Sequence, residues 1–154
     1  SAVTGIRATG LAAELVSAKL LLDSDGIAFV SDIDPRTSDP RALPSKVETA
    51  LAMTLREAVT NLQRHAQARE ARIAIALTDG EAVLRIADDG RGGVIVPGNG
   101  LDGMRQRIEA LGGRLRIDSR KGEGTRIEAH VPLAAHLEHD DASAAPSPDQ
   151  AMQA

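Results

Sequence analysis

Cysteine is absent from this sequence, as are tryptophan and tyrosine, and Phe29 is the single phenylalanine. Without thiols there can be no disulfide, thiolate metal site or cysteine nucleophile, which fits a cytosolic setting. A single aromatic ring argues against the stacking platforms that hold single-stranded nucleic acid, and the core must come from Leu, Ile, Val and Ala. No run of about 18 apolar residues is available to span a bilayer, and the first residues show no secretory signal pattern. An excess of positive charge is also missing. The 18 Lys and Arg against 22 Asp and Glu leave a net charge of −4, which argues against nucleic acid or an anionic membrane surface as a partner. What remains is 154 residues, 42% hydrophobic and 26% charged, enough for one compact domain with ragged ends. The 14 glycines are clustered, and the clusters are the informative part.

Along the chain, Leu11, Leu15, Ala18 and Leu22 recur three or four apart within residues 6–22, the apolar stripe of an amphipathic helix. Asp23–Gly26 ends it, and residues 27–30 read as a short strand. The prolines of residues 34–45 predict a loop. A long helix is expected from Ser45, as N-cap of a capping box closed by Glu48, with Leu51, Leu55, Ala58 and Leu62 on its buried side. Residues 72–77 and 82–86 read as strands joined by the hairpin signal Asp79-Gly80. Residues 101–111 read as a helix closed by Gly112-Gly113, and residues 114–119 and 125–131 as two further strands. These elements sum to an α/β fold, a two-layer sandwich of helices on a mostly antiparallel sheet. Beyond Pro132 the composition turns to Ala, Ser, Pro, Asp and Gln, and residues 138–154 are expected to be disordered.

Three clusters could carry chemistry. Glu57 and Asn61, four apart in LREAVTNLQRHA, put a carboxylate and an amide oxygen on one flank of a helix, hard oxygen donors of the kind Mg²⁺ accepts beside phosphates. In Asp88-Asp89-Gly90-Arg91-Gly92 a strand ends in an acid followed by glycines. The backbone could there approach a flat ligand closely while the carboxylate accepts a hydrogen bond from an exocyclic amine such as that of adenine. Gly98-Asn99-Gly100-Leu101-Asp102-Gly103-Met104 opens a helix whose free amides suit phosphate. Taken singly, each also reads as a solvated helix flank, a glycine turn or a plain loop.

The order of the clusters is more specific. Acid-plus-amide helix, hairpin, Asp-x-Gly-x-Gly, glycine loop, helix and then Gly122–Thr125 before a last strand follow one another over residues 47–133. This series resembles the Bergerat-fold (GHKL) ATPases: histidine kinases, DNA gyrase, Hsp90 and MutL. Glu57–Asn61 resembles the N box, Asp88–Gly92 the first glycine box, Gly98–Gly103 the second, and Gly122–Thr125 the closing Gly-Thr box. The phrases LREAVTNLQRHAQA and GNGLDGMRQRIEALGGRLRIDSRKGEGTRIEAHVPL resemble the nitrate-sensor and DesK branch of the sensor histidine kinases, which has a short ATP lid and no phenylalanine box.

The resemblance implies an ATP- and Mg²⁺-binding catalytic domain over residues 26–134, preceded by the end of a dimerisation and phosphoacceptor helix at residues 1–25 and followed by a disordered tail, 135–154. It implies that Asn61 holds Mg²⁺ against the triphosphate and that Glu57, also near the metal, orients or activates the attacking group. Arg64 would touch phosphate, and His65 would stand where relatives often carry an aromatic ring beside the nucleotide. Asp88 would bind the adenine amine, Gly90 and Gly92 would make room for the ring, and Thr125 would support that end. Gly98, Gly100 and Gly103 would let the lid fold onto the phosphates, with Leu101 and Met104 of the same box completing the ATP-binding set. None of His65, His130, His136 or His139 stands in the family's phosphoacceptor pattern. The phosphoacceptor domain is therefore expected elsewhere, in a homodimeric and membrane-anchored parent whose catalytic region is cytoplasmic and whose phosphate passes to a response regulator. An anti-sigma-factor serine kinase shares the boxes and is the alternative reading, separated from the first by the dimerisation-helix fragment at residues 5–25.

Overall fold

A computed structural model of the chain describes residues 10–93, 100–134 and 136, apart from the side chains of His65 and Ala66. Helix α1 (Leu11–Ser24) turns Leu11, Ala18 and Leu22 inward, as the stripe requires. They pack on α2 (Ser45–Asn61), whose inward row includes Leu51, Leu55 and Ala58 and runs on to Leu62. Between the two helices lie strand β1 (Ala28–Ile33) and a single 3₁₀ turn, Pro35–Ser38. The expected loop thus contains one ordered turn, fastened by the Asp34 carboxylate to the backbone N–H of Arg36 at 2.9 Å and that of Leu77 at 3.2 Å.

The capping box does not form. Ser45 is already helical, the N-cap is Pro44, and no side chain caps it. Glu48 is engaged elsewhere, because its carboxylate accepts the backbone N–H of Leu11 at 3.0 Å. The first turn of α1 has no side-chain cap of its own behind Gly10. Its unpaired N–H groups and positive dipole end are where a carboxylate stabilises most.

Strands β2 (Glu70–Thr78) and β3 (Glu81–Asp88) form a hairpin about Asp79-Gly80, with φ of 52° and 75° at the two turn residues, as a tight two-residue turn demands. Helix α3 (Leu101–Glu109) then leads to β4 (Arg114–Ser119) and β5 (Thr125–Pro132). The five strands lie in the order β1-β2-β3-β5-β4. Among the described residues only β1 and β2 pair in parallel. Alternate residues, among them Ile73, Ile75, Leu84, Ile86, Ile127, Ala129 and Val131, face one continuous core shared with helices α1, α2 and α3.

The opposite face of the sheet carries charge. Arg85 pairs with Glu128, Arg114 with Glu81 at 3.0 Å, and His130 reaches Glu81 at 3.1 Å and Glu128 at 3.0 Å. Beneath this lattice Val83 is only 1% exposed. Hydrogen bonds from Arg114 and His130 hold Glu81 below the usual carboxylate range, and those from His130 and Arg85 do the same for Glu128.

Candidate functional site

The strand register brings the sequence clusters to one end of the sandwich. Asp88, the last residue of β3, stands opposite Ala71 near the start of β2, and Ala87 stands opposite Arg126 near the start of β5. Helix α2 ends over the same edge, since it hands the chain to β2 through a short connection. That connection is a π-helical turn, Leu62–Ala66, stopped by Gln67 in the left-handed region at φ 51°. Nothing in the periodicity signals this turn, although such wide turns recur at functional sites. It carries exposed Arg64 and the backbone of His65. Gln63, in the same turn, donates to Asp25 at 2.8 Å and so braces it against the end of α1.

The two neighbouring aspartates do different work. The Asp88 carboxylate is half-buried and accepts the backbone N–H of Gly90 at 2.8 Å, with the Thr125 backbone amide also favouring its charged form. Burial raises its pKa despite these backbone amides, with the Asp89 charge adding to the rise. Asp89 points the other way and accepts the backbone N–H groups of Arg69 at 2.8 Å and Glu70 at 2.9 Å, which lower its pKa. Asp88 is thus a shielded acceptor at the site, and Asp89 is the clasp that seats the start of β2.

The first glycine cluster is bound to the β4–β5 turn. Gly124 lies so near the Asp88 carbonyl that a Cβ there would overlap it, and a Cβ on Gly92 would overlap the Arg120 carbonyl. These close approaches, at φ of 78° and 55°, are open only to glycine. Hydrogen bonds fix the arrangement: Gly122 N–H donates to the Arg91 carbonyl at 2.6 Å, and Gly93 N–H donates to the Ser119 hydroxyl at 2.8 Å. Ser119 in turn shares a hydrogen bond with the Thr125 hydroxyl at 2.8 Å. Sequence reading singled out Thr125 and missed Ser119; only the strand register, which sets Ser119 opposite Thr125, reveals it.

Glu57 and Asn61 are both half-buried near the end of α2. Gly100, the N-cap of α3, rests against the Glu57 carboxylate. Leu101 is partly buried against the core, whereas Met104 is wholly buried. The Met104 side chain therefore belongs to the core and has no exposed surface to offer a ligand. Gly103 is half-buried on the same helix. Gly98 lies outside the described residues, as does His139, and so does the side chain of His65. His130 is on the charged outer sheet face, locked between two glutamates.

A family model described as the histidine kinase-, DNA gyrase B-, and HSP90-like ATPase matches residues 46–135, which include Glu57, Asn61, Asp88 and Thr125. This chain belongs to that family of ATPases. Its sequence is similar to sensor histidine kinases of the NarL/DesK type: DesK of Bacillus subtilis is 34% identical over 136 residues, covering 86% of this chain and 35% of DesK. DegS of the same organism, a signal transduction histidine-protein kinase/phosphatase, is 34% identical over 64% of this chain and 27% of its own length. The chain thus spans about a third or less of these relatives. Among solved structures, the Erythrobacter litoralis EL346 blue-light activated histidine kinase superposes with a TM-score of 0.68 at 19% identity, over 80% of this chain and 41% of that one. The histidine kinase AdeS of Acinetobacter baumannii gives 0.60 at 16% identity, over 81% and 66%. At those identities the likeness establishes the fold, the two-layer α/β sandwich expected from the sequence.

Proposed function

We propose that this domain binds Mg²⁺-ATP at the sandwich end formed by α2, β3 and the β4–β5 turn, and catalyses phosphorylation of a histidine on a dimerisation segment of the same protein. The observation that carries the reading is the half-buried Asp88 carboxylate, held by the Gly90 backbone N–H at the same end as Glu57 and Asn61. A shielded acceptor beside glycine backbone suits the amine edge and flat face of adenine, and such a bond to a charged group contributes about 1.5–3 kcal/mol. The remaining residues fit the rest of the nucleotide. Glu57 and Asn61 offer the one or two protein oxygens that Mg²⁺ takes alongside phosphate and water, and Arg64 is exposed one turn further on, within the π-helical turn. Bound magnesium would neutralise triphosphate charge. In the reaction an imidazole nitrogen attacks the γ-phosphorus, the bond to the β–γ bridging oxygen breaks, and ADP departs with that oxygen. Glu57 orients the imidazole and receives its proton.

Helix α1 supports placing the domain after a dimerisation helix. Its inner stripe is spent on α2, yet Val16 and Leu20 are 62% and 65% exposed one turn apart, a second apolar stripe that suits a helix of another protomer. In this reading the parent is a membrane-anchored homodimer with its catalytic region in the cytoplasm, and phosphate passes from the histidine to a response-regulator aspartate. Among the described residues no helix is long and apolar enough to cross a membrane.

The test is to incubate a chain extended through its upstream segment with ATP labelled at the γ-phosphate. Label that is lost in acid but stable in base, and that disappears with Glu57→Gln, is the expected result. Acid-stable label on a serine of a partner protein would instead favour the anti-sigma-factor kinase.

A further inference from the structure

Three polar side chains stand in one row where the core face of the sheet meets the candidate site. One step beyond the Ala87–Arg126 pair the antiparallel register sets Asp88 beside Thr125, and Thr125 stands opposite Ser119. Each lies two residues from an isoleucine packed in the core, Ile86, Ile127 and Ile117 in turn, so all three share the face that carries the helices. Ser119 and Thr125 are half-buried. The ionised Asp88 carboxylate can only accept, and the direction of the two hydroxyls decides what the rest of the row recognises.

The Gly93 N–H sets that direction. A backbone amide only donates, so the Ser119 hydroxyl oxygen accepts it, at 2.8 Å. The same oxygen lies 2.8 Å from the Thr125 hydroxyl, where either atom could be the donor. Among the described residues Thr125 Oγ1 is the one acceptor bonded to the Ser119 hydroxyl. If Thr125 donated, Ser119 would accept twice and its own hydrogen would be left unpaired in a half-buried place, which is the costlier arrangement. The favoured chain therefore runs from the Gly93 N–H to Ser119, and from the Ser119 O–H to Thr125. It leaves the Thr125 hydrogen to be donated at the site. An acceptor beside a donor complements the adenine edge, where the 6-amine donates and N1 accepts. In hypoxanthine and guanine both are reversed, because O6 accepts and N1 carries a hydrogen. We propose that Ser119 is a specificity-determining residue for the nucleotide base. It acts as a positioning residue through Thr125, fixing that hydroxyl as a donor to N1 and so disfavouring 6-oxopurines. The inference rests on the ATP reading of the same site.

Calorimetric affinities of the full chain for Mg²⁺-ATP and for Mg²⁺-ITP, the hypoxanthine nucleotide, give the preference for adenine as a ratio. Ser119→Ala frees Thr125 to turn and accept the N1 hydrogen, so the ratio should fall about fivefold. A purely structural role would weaken both nucleotides alike and leave the ratio where it was. Thr125→Val keeps the shape without the hydroxyl and should lower the ratio similarly. Adding Ser119→Ala to Thr125→Val should then change it no further. Ser119→Cys, a much weaker donor and acceptor of similar size, gives the same comparison where the alanine variant is unstable. An unmoved ratio in a chain that binds ATP overturns this inference and leaves the ATP reading standing. A further fall in the double variant also overturns it, because Ser119 would then act by a route other than Thr125. No ATP binding by the wild type overturns both.

Discussion

The backbone of Gly100 lies directly against the Glu57 carboxylate, so close that a methyl group on residue 100 would occupy the same space. The residue also sits at φ 83°, a region that costs an L-residue about 1–2 kcal/mol. Gly100→Ala therefore meets both backbone strain and a collision with the residue assigned to orient the phosphoacceptor. Displacing that carboxylate by about 1 Å is expected to slow phosphoryl transfer on the order of 100-fold. Gly122 has a similar φ of 81° but open space around it, so Gly122→Ala should cost stability without a comparable loss of rate. Single-turnover phosphorylation and thermal melts of the two variants compare these effects.

The adjacent aspartates should separate function from stability. Asp88→Asn removes a charge-assisted acceptor of about 1.5–3 kcal/mol, which corresponds to roughly 10- to 100-fold weaker ATP binding. Asp89→Asn instead loosens the clasp on the backbone of Arg69 and Glu70 and should lower the melting temperature. Its ATP affinity should stay within about threefold of wild type where the domain is folded. Binding and melting measured on both variants check the division.

Titration should show the same split. Burial raises Asp88 above the ordinary aspartate range, and the Arg69 and Glu70 N–H groups hold Asp89 below it. Side-chain carboxyl shifts followed by NMR should give midpoints on opposite sides of the free-peptide value. ATP affinity should then fall on acidification at a pH where most aspartates are still ionised. Stability follows the opposite sign for the lowered groups. Glu81, Glu128 and Asp89 have folded values below their unfolded ones, so their contribution is present above the ordinary carboxylate range and lost as pH falls through it. The raised Asp88 works against this trend, since its ionisation disfavours the fold as pH rises. The net expectation is a domain that loses stability below about pH 4.

Glu48→Ala should release the start of α1. The carboxylate holds the Leu11 N–H at 3.0 Å, and Glu14 with Arg56, at 2.7 Å, is the second polar tie between the helices. Loss of the first bond is expected to cost about 1.5 kcal/mol, seen as roughly tenfold faster hydrogen exchange in α1 with little change in α2.

The sequence made most elements readable because their periodicities are strong and their breaks are glycine-rich. The α2 stripe through Leu51, Leu55 and Ala58 and the Asp79-Gly80 hairpin stand where the pattern puts them, while α3 ends at Glu109, two residues before the expected Leu111. Local pattern failed where a residue's partner is distant in sequence. Glu48 has the spacing of a capping box but serves Leu11, 37 residues away. Ser119 matters through Thr125 and Gly93, a relation set by strand register. The π-helical turn at Leu62–Ala66 inherits a helical sequence and leaves no separate mark. Met104 sits in a functional motif yet is core, because α3 must present one face to the sheet.

The Asp88 end of the sandwich is the proposed site for Mg²⁺-ATP. Calorimetric titration of Mg²⁺-ATP into this chain, repeated with Asp88→Asn and Asn61→Ala, tests it most directly. Saturable binding by the wild type, its loss with Asp88→Asn, and loss of the magnesium dependence with Asn61→Ala are the predicted results. No heat of binding at millimolar ATP, or binding indifferent to Asp88, would contradict the account.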